Sequence, residues 1–279
     1  MAAEPRLAAT VLLLRDREPD FEVFMLRRSL QASFMPGAYV YPGGQVDLED
    51  GRAAEVCPEL NHERLADRFG LTAEVTLAIL VAGVRECFEE AGVLVAHGAS
   101  LSEDTTRARL GRERTRVHSG ELRLVDLARD LDLLLAVDRF RLFAHWITPD
   151  IESKRFDTYF LVTRHPEGQV PLHDHHETVA STWIRPAEAL HKHQRGEFSL
   201  APPTFRTLQR LSEFHSAQDV LDQALDSPVP PIEPRLQVID GAPTLLLPGD
   251  SAYGPGGAAS WEGATRVVLR DGAWSAETR

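Results

Sequence analysis

Two apolar runs near the N-terminus predict a pair of neighbouring strands. Leu7–Leu14 and Phe21–Arg28 are dominated by apolar side chains, and the polar stretch between them contains Pro19. Runs of this length that are separated by a few turn-forming residues are typical of a hairpin. The same kind of run recurs later in the chain and predicts three further strands, at Phe140–Ile147, Phe156–Thr163 and Val179–Ile184.

The clearest helical signal covers Ala73–Ala91. This stretch has no proline, Thr72 before it is a suitable N-cap, and Gly92 stands where a helix would stop. At about 100° per residue, three glutamates fall on one side of this helix and four apolar residues fall on the other. The glutamates are Glu86, Glu89 and Glu90, and the apolar residues are Leu77, Val81, Val84 and Phe88.

Other segments give weaker signals. Residues 98–120 are charged and contain Ser, Thr and Gly, which predicts a mobile loop or a short helix. Helical periodicity of apolar residues, together with the positions of Pro and Gly, predicts four more helices, at Glu63–Phe69 (ended by Gly70), Leu122–Leu135, Pro186–Gln194 and Pro203–His215.

The composition changes after Asp226, where Pro and Gly become frequent. We therefore predict a main domain over 1–226 and an extension of irregular and β structure over 227–279. A strand at Val267–Leu269 and a tight turn at Asp271-Gly272 are expected within the extension. The extension is expected to pack on the domain or on a dimer partner.

Charge and composition narrow the classes of function. The chain has 279 residues, 43% of them hydrophobic and 26% charged, which is ordinary for a globular protein and excludes wholesale disorder. The formal net charge is −12, opposite to the balance usual in proteins that bind nucleic-acid polymers. Small phosphorylated molecules remain plausible ligands if a divalent cation lies between the like charges.

Two cysteines, Cys57 and Cys87, do not make a disulfide framework and favour a reducing compartment. Leu7–Leu14 has only eight residues, whereas a membrane-spanning helix needs about 20. The run also lacks the basic leader of a signal peptide. We therefore predict a cytoplasmic protein with no membrane partner.

The acidic stripe on the predicted helix is locally unfavourable, because like charges three and four positions apart cost roughly 0.2–0.5 kcal/mol per pair. Hard, oxygen-loving cations such as Mg²⁺ or Mn²⁺ would reverse that penalty. The alternative is a solvated acidic face that is partly neutralised by Arg85, four positions before Glu89.

A glycine bend upstream of the acidic stripe is a second signal in the sequence. Pro42-Gly43-Gly44 followed later by Arg85-Glu86-Cys87-Phe88-Glu89-Glu90-Ala91-Gly92-Val93 resembles the Nudix box. Two features depart from that motif. Its first acid is replaced by Asp50 or the neighbouring Glu49. In addition, 34 residues separate Asp50 from Arg85 where the Nudix box has seven, so the box is interrupted by an insertion at about 51–77.

Further runs resemble one branch of the Nudix superfamily, which has an interrupted box and includes peroxisomal coenzyme A diphosphatases and bacterial relatives. These runs are Ser33–Gly37, Tyr41–Asp47, Trp146-Ile147-Thr148-Pro149 and Arg155-Phe156-Asp157-Thr158. The resemblance implies an α/β Nudix fold, in which a mixed β-sheet forms an α/β/α sandwich, here with the insertion and the C-terminal extension.

The resemblance also implies a chemistry, namely hydrolysis of a diphosphate that links a nucleoside to another group. It assigns Mg²⁺ or Mn²⁺ as the cofactor, with Glu86, Glu89, Glu90 and the Gly44 carbonyl as ligands. Glu86 is alternatively the acceptor of a proton from the attacking water, and Arg85 orients Glu89. The best guess for the substrate is coenzyme A or acyl-coenzyme A. ADP-ribose or NADH, or a Nudix-fold domain that binds a ligand without catalysis, are the alternatives.

Weaker candidates surround this site. Glu177 is a further ligand, base or simply exposed loop acid, and Arg28 is a candidate phosphate contact at a strand end. Arg155 either pairs with Asp157 or lines the substrate pocket. His173, Asp174, His175 and His176 form a polar cluster that matches no standard zinc spacing. The insert, residues 98–120 and the extension are candidates for shaping specificity or a homodimer interface.

Overall fold

The computed structural model describes residues 3–32, 35–174, 176–255 and 263–277. The first half of the chain forms β1 (Arg6–Arg17), β2 (Asp20–Arg28), β3 (Tyr39–Val40), β4 (Gly43–Gln45), a 3₁₀ helix (Leu48–Val56), α1 (His62–Phe69), α2 (Ala73–Ala91), β5 (Ala96–His97), α3 (Asp104–His118), α4 (Leu124–Asp130) and β6 (Leu134–Leu135). The second half forms β7 (Arg141–Ile147), β8 (Phe156–Arg164), β9 (Thr178–Ile184), α5 (Pro186–Gln194), α6 (Pro202–Leu211), α7 (Ala217–Asp226), β10 (Arg235–Ile239), β11 (Ala242–Leu246), β12 (Arg266–Arg270) and β13 (Ala273–Glu277).

Seven strands form the central sheet, in the order β3-β2-β1-β8-β7, with β4 paired to β1 and β9 paired to β2. β1 and β8 run parallel, whereas the other pairs are antiparallel, so the sheet is mixed. One apolar core lies between the sheet and α2, and a second lies on the opposite face beneath α5, α6 and α7. The predicted α/β/α sandwich is confirmed.

Helix α2 begins and ends where the sequence predicts. The Thr72 hydroxyl accepts a hydrogen bond from the Val75 amide at 3.3 Å. At the other end Gly92 adopts φ 67°, a left-handed conformation that glycine takes without strain. Both faces of the last two turns are buried, because the sheet covers the apolar side and the segments before and after α2 cover the acidic side.

Two expectations about the middle of the chain are wrong. Residues 98–120 are neither a mobile loop nor a short helix, since they contain the 15-residue helix α3. Its few buried positions, Thr106, Leu110 and Val117, make a helical stripe too sparse to be noticed among charged neighbours. Within the range Leu122–Leu135, which is predicted as one helix, helix α4 ends at Asp130 and Leu134–Leu135 form β6.

The C-terminal segment forms a second, four-stranded antiparallel sheet, β10-β11-β12-β13, after the unpredicted helix α7. This C-terminal sheet contacts the helices that pack on the central sheet. The Trp274 amide donates to His193 Nε2 on α5 at 3.0 Å, and Arg206 on α6 donates to the Ala264 carbonyl at 2.9 Å. The strand and turn expected at residues 267–272 are confirmed. Among the described helices, none combines the length and apolarity needed to cross a membrane.

Candidate active site

The glycine bend lies directly against the acidic side of α2. β4 pairs with β1, where Gly44 is opposite Ala9, and α2 packs across the same strand. The Gly43 amide donates a hydrogen bond to Glu90 Oε2 at 2.9 Å. A Cβ atom on Gly44 would lie only 2.6 Å from Glu86 Oε1, so this position has no room for a side chain. The bend and the helix therefore form one site, although more than 40 residues separate them in sequence.

The three glutamates of this site are buried carboxylates, with exposed fractions of 7%, 7% and 6% for Glu86, Glu89 and Glu90. Burial raises the pKa of Glu86 to about 7, although Arg85 opposes the shift. Burial likewise raises the pKa of Glu89. It raises the pKa of Glu90 still more clearly, helped by the charge of Glu86. The carboxylates are thus held where their ionised forms are poorly compensated.

Arg85 is the cation at the centre of the site. Its Nη1 donates to Glu86 Oε1 at 2.8 Å and to Glu89 Oε1 at 3.3 Å, and its Nη2 donates to the Gln45 carbonyl at 2.8 Å. Burial alone would lower the arginine pKa, but the surrounding carboxylates outweigh it and keep the guanidinium charged. Arg85 therefore ties the acidic helix to the residue that follows the glycine bend.

The structure separates the two candidates for the first box acid. Asp50 is buried, and its Oδ2 lies 3.5 Å from Arg85 Nε. Glu49 is exposed and pairs instead with Arg52 at 3.1 Å. Burial raises the pKa of Asp50, with Arg85 opposing the shift. The insertion begins after Asp50. It contains the rest of the 3₁₀ helix and α1, and α2 then brings the chain back to the site.

Sequence reasoning missed two site residues, both on α3. Arg114 Nε donates to the Glu89 carbonyl at 2.9 Å, and its Nη2 donates to the Leu172 carbonyl at 2.9 Å. His118, one turn later, places Nδ1 3.8 Å from Glu89 Oε2. The spacing of Arg114 and His118 would have placed them on one face, had residues 98–120 been recognised as a helix.

Two of the weaker candidates lie near the site. Glu177 is exposed and immediately precedes β9, and its negative charge adds to the burial that raises the pKa of Glu86, Glu89 and Glu90. Arg28 ends β2 opposite Thr178, and the next residue's amide bonds to the Glu177 carbonyl at 3.0 Å. Arg28 and Glu177 therefore belong to one rim of the site.

The expected pairing of Arg155 with Asp157 is wrong. Arg155 pairs with Glu233 at 2.5 Å and donates to the Thr148 carbonyl at 3.0 Å. Asp157 bonds instead to His145 on the adjacent strand. Alternation along a strand relates only residues close in sequence, whereas Glu233, the partner of Arg155, lies in the segment that connects α7 to β10.

Among its described members, His173, Asp174 and His176, the polar cluster at 173–176 forms no metal-binding group. His173 Nδ1 faces Ser181 Oγ at 3.3 Å, and Asp174 Oδ1 accepts bonds from the His176 and Thr178 amides at 3.0 Å. His175 lies outside the described residues. Asp174 therefore shapes the loop that holds Glu177 beside the site.

The donor set suits a hard divalent ion, because it combines carboxylates with a nearby backbone carbonyl. Burial raises the pKa of both Glu86 and Glu90, and the charge of Arg85 opposes the shift only at Glu86. Across the described ranges, however, no three His, Cys, Asp or Glu side chains already stand in a closed metal-binding arrangement. Ion binding by Glu86, Glu89, Glu90 and Gly44 thus stays a prediction.

A mixed sheet between helices, with a glutamate-bearing helix against a glycine bend, defines the class of Nudix hydrolases. The model of the NUDT19 Nudix domain matches residues 58–211, which is more than half of the chain. The chain therefore belongs to the Nudix hydrolase family, in the group that this domain defines. The match contains Arg85 and the three glutamates, whereas Gly44 and Asp50 precede it.

Named relatives agree with this assignment. The chain is 30% identical to the acyl-coenzyme A diphosphatase NUDT19 of Gallus gallus, over 84% of this chain and 73% of that protein. The Homo sapiens protein of the same name is also 30% identical, over 84% of this chain and 72% of its own. A solved Nudix hydrolase from Alicyclobacillus acidocaldarius, 24% identical, covers 79% of this chain and 96% of its own with a TM-score of 0.61. That likeness shows the fold.

Proposed function

We propose that this chain is a metal-dependent diphosphatase that cleaves coenzyme A or acyl-coenzyme A. The observation that carries the reaction is the buried acidic face of α2 against the Gly43–Gly44 bend. Support for the substrate comes from relatives that are named acyl-coenzyme A diphosphatases and are aligned over 84% of this chain.

In this proposal Glu86, Glu89, Glu90 and the Gly44 carbonyl hold Mg²⁺ or Mn²⁺. Such an ion, when bound, polarises phosphoryl oxygens and lowers the pKa of water. Arg85 holds the carboxylates of Glu86 and Glu89 in place through its two Nη1 contacts.

As an alternative role, we assign Glu86 to proton acceptance from the attacking water, directly or through a metal-bound water. Its carboxylate lies against Gly44, where only a residue without a side chain leaves room for it, so the bend sets its position. Arg28 and Glu177 on the rim are assigned to the substrate's polar groups. Arg155 is omitted from the substrate site, because it is committed to Glu233 and two carbonyls.

The test is a turnover screen of coenzyme A, an acyl-coenzyme A, ADP-ribose and NADH, with Mn²⁺, with Mg²⁺ and with EDTA. We expect coenzyme A or its thioester to give the highest kcat/KM, with water cleaving the diphosphate so that each product keeps one of its two phosphates. Preference for ADP-ribose or NADH would overturn the substrate and keep the reaction class. Binding without cleavage of any of the four would show a non-catalytic domain.

Location and assembly are further parts of the proposal. Both cysteines are buried and unpaired with each other, which suits a reducing compartment such as the cytoplasm. A homodimer is a candidate assembly, and the mass of the protein in solution tests it.

A further inference from the structure

Helix α3 lies across the C-terminal turn of the acidic helix. Arg114 donates from two nitrogens to the Glu89 and Leu172 carbonyls, so it holds α3 against both α2 and the loop at residue 172. Gly92 permits this contact, because a Cβ atom there would lie 2.9 Å from Arg114 Nη1. The position of the next residue on the same face, His118, is thereby fixed relative to Glu89.

The Nδ1 atom of His118 is the unsatisfied polar group of this contact. It is buried and has no hydrogen-bond partner among the residues that the structure describes. Glu89 Oε2 lies 3.8 Å away, which is too far for a hydrogen bond. The imidazole stacks on His176, with the ring centroids 6.0 Å apart and the planes 15° from parallel. The ring is therefore packed in an orientation that leaves a nitrogen and a carboxylate oxygen facing one another.

We propose that His118 Nδ1 is a nitrogen ligand of the divalent ion in this site, shared with Glu89, and that it biases the site toward Mn²⁺ over Mg²⁺. The inference deepens the proposed function and rests on its ion-binding site. Divalent ions bind such donors at about 2.0–2.2 Å, so two donors on one ion are separated by no more than about 4.4 Å. The observed 3.8 Å lies within that span.

Ligand chemistry supplies the ion preference. Both ions favour oxygen donors, but Mg²⁺ is bound almost entirely by oxygen, whereas Mn²⁺ is a first-row transition-metal ion and accepts an imidazole nitrogen more readily. A site made only of Glu86, Glu89, Glu90 and a carbonyl offers little discrimination between the two ions. Adding one imidazole strengthens the binding of Mn²⁺ more than that of Mg²⁺.

The experiment uses the full-length protein and Mn²⁺ alone as the probe. Pulsed electron paramagnetic resonance of the bound Mn²⁺ is expected to show coupling to one directly bonded ¹⁴N nucleus. His118→Gln should abolish that coupling and weaken the Mn²⁺ Kd about tenfold. The Mg²⁺ Kd, measured by competition, should change much less, so the preference for Mn²⁺ falls.

Two controls keep the result interpretable. His118→Phe retains a flat ring against His176 and is expected to lose the coupling as well, which separates ligation from packing. His191→Gln changes an exposed histidine on α5 and should leave the coupling and both Kd values as in the unmodified protein. Uniform ¹⁵N labelling of histidine in the unmodified protein should replace the ¹⁴N pattern without any substitution.

The proposal is overturned if Mn²⁺ does not bind, if bound Mn²⁺ shows no nitrogen coupling, or if the coupling survives in both His118 variants. An unchanged ratio of Mn²⁺ and Mg²⁺ affinities in His118→Gln also overturns it. These outcomes are separate from those of the turnover screen. Cleavage of coenzyme A with an all-oxygen Mn²⁺ site would remove His118 and leave the proposed function standing.

Discussion

Two regions of this molecule bury carboxylates and treat them in opposite ways. In the C-terminal sheet, both oxygens of Asp250 accept bonds from Arg266 at 2.8 and 3.0 Å, and the Thr265 hydroxyl and the Ala252 amide add two more at 2.8 Å. The Arg266 bonds, which outweigh burial, lower the pKa of Asp250 to about 2. On α2, burial instead raises the pKa of Glu86 to about 7.

The difference lies in how many donors each carboxylate has. Asp250 has its own guanidinium and further donors, which is what a structural ion pair needs in order to offset desolvation. Arg85 is shared among Asp50, Glu86 and Glu89, and Glu90 accepts only a backbone amide in the contacts described. Carboxylates held in an under-compensated cluster are typical of functional sites, where a ligand completes the set.

The largest effect that this comparison predicts is at Glu90. Glu90→Gln should lower kcat/KM for the diphosphate substrate on the order of 10³-fold, because the carboxylate that we propose as an ion ligand becomes a neutral amide of the same shape. The fold should survive, since the Gly43 amide keeps an oxygen acceptor. Turnover with Mn²⁺ and thermal unfolding in EDTA are the two measurements. An active Glu90→Gln variant with unchanged metal dependence would remove the central site assignment.

The parts of the site that could be predicted from sequence are those with local signals. Caps at Thr72 and Gly92 define the limits of α2, and helical periodicity places the glutamates on one side. The Pro-Gly-Gly motif marks the bend, but only the pairing of β4 with β1 shows that Gly44 touches Glu86. That contact could be expected from the resemblance to the Nudix box and not from residue patterns.

The remaining parts depend on long-range packing that leaves little local pattern. Arg114 and His118 reach the site because α3 folds back across α2, and a helix with so few apolar residues gives no sign of where it docks. Arg155 uses Glu233, 78 positions away, in preference to the neighbour that strand alternation suggests. Helix α7 was missed for a related reason, since few of its residues are buried.

Gly44→Ala tests the close approach of the bend. Its Cβ atom would overlap the Glu86 carboxylate, so the acid or the strand must move by roughly 1 Å, and a displacement of that size costs about 10²-fold in kcat/KM. Gly111→Ala is the matched control, because no atom lies within 4 Å of the added methyl group. Equal activity of the two variants would argue that the bend does not set the position of Glu86.

Asp250→Asn should lower the stability of the fold and leave turnover unchanged, which is the opposite of the result expected for Glu90→Gln. Loss of the charged bonds to Arg266 is expected to lower the free energy of unfolding by about 2 kcal/mol, measured by denaturant unfolding. The kcat/KM of the folded fraction should not change, because the C-terminal sheet carries none of the carboxylates assigned to the site. If turnover falls and stability does not, Asp250 belongs with the functional carboxylates and the contrast fails.

The smallest predicted effect is the pH dependence of stability without metal. Because the folded-state pKa of Glu86 is raised from 4.5 to about 7, the folded protein retains a proton that the unfolded chain has lost between those pH values. Stability from this group therefore falls as pH rises from 5 to 7, whereas the contribution of Asp250 is lost only as pH falls from about 4 toward 2.

In EDTA we expect the unfolding midpoint at pH 7 to lie about 3 °C below that at pH 5. Glu86→Gln should flatten this slope, and Mn²⁺ should remove it by binding the ionised carboxylates. A midpoint that rises steadily from pH 5 to 7 in EDTA would mean that the α2 carboxylates are compensated after all.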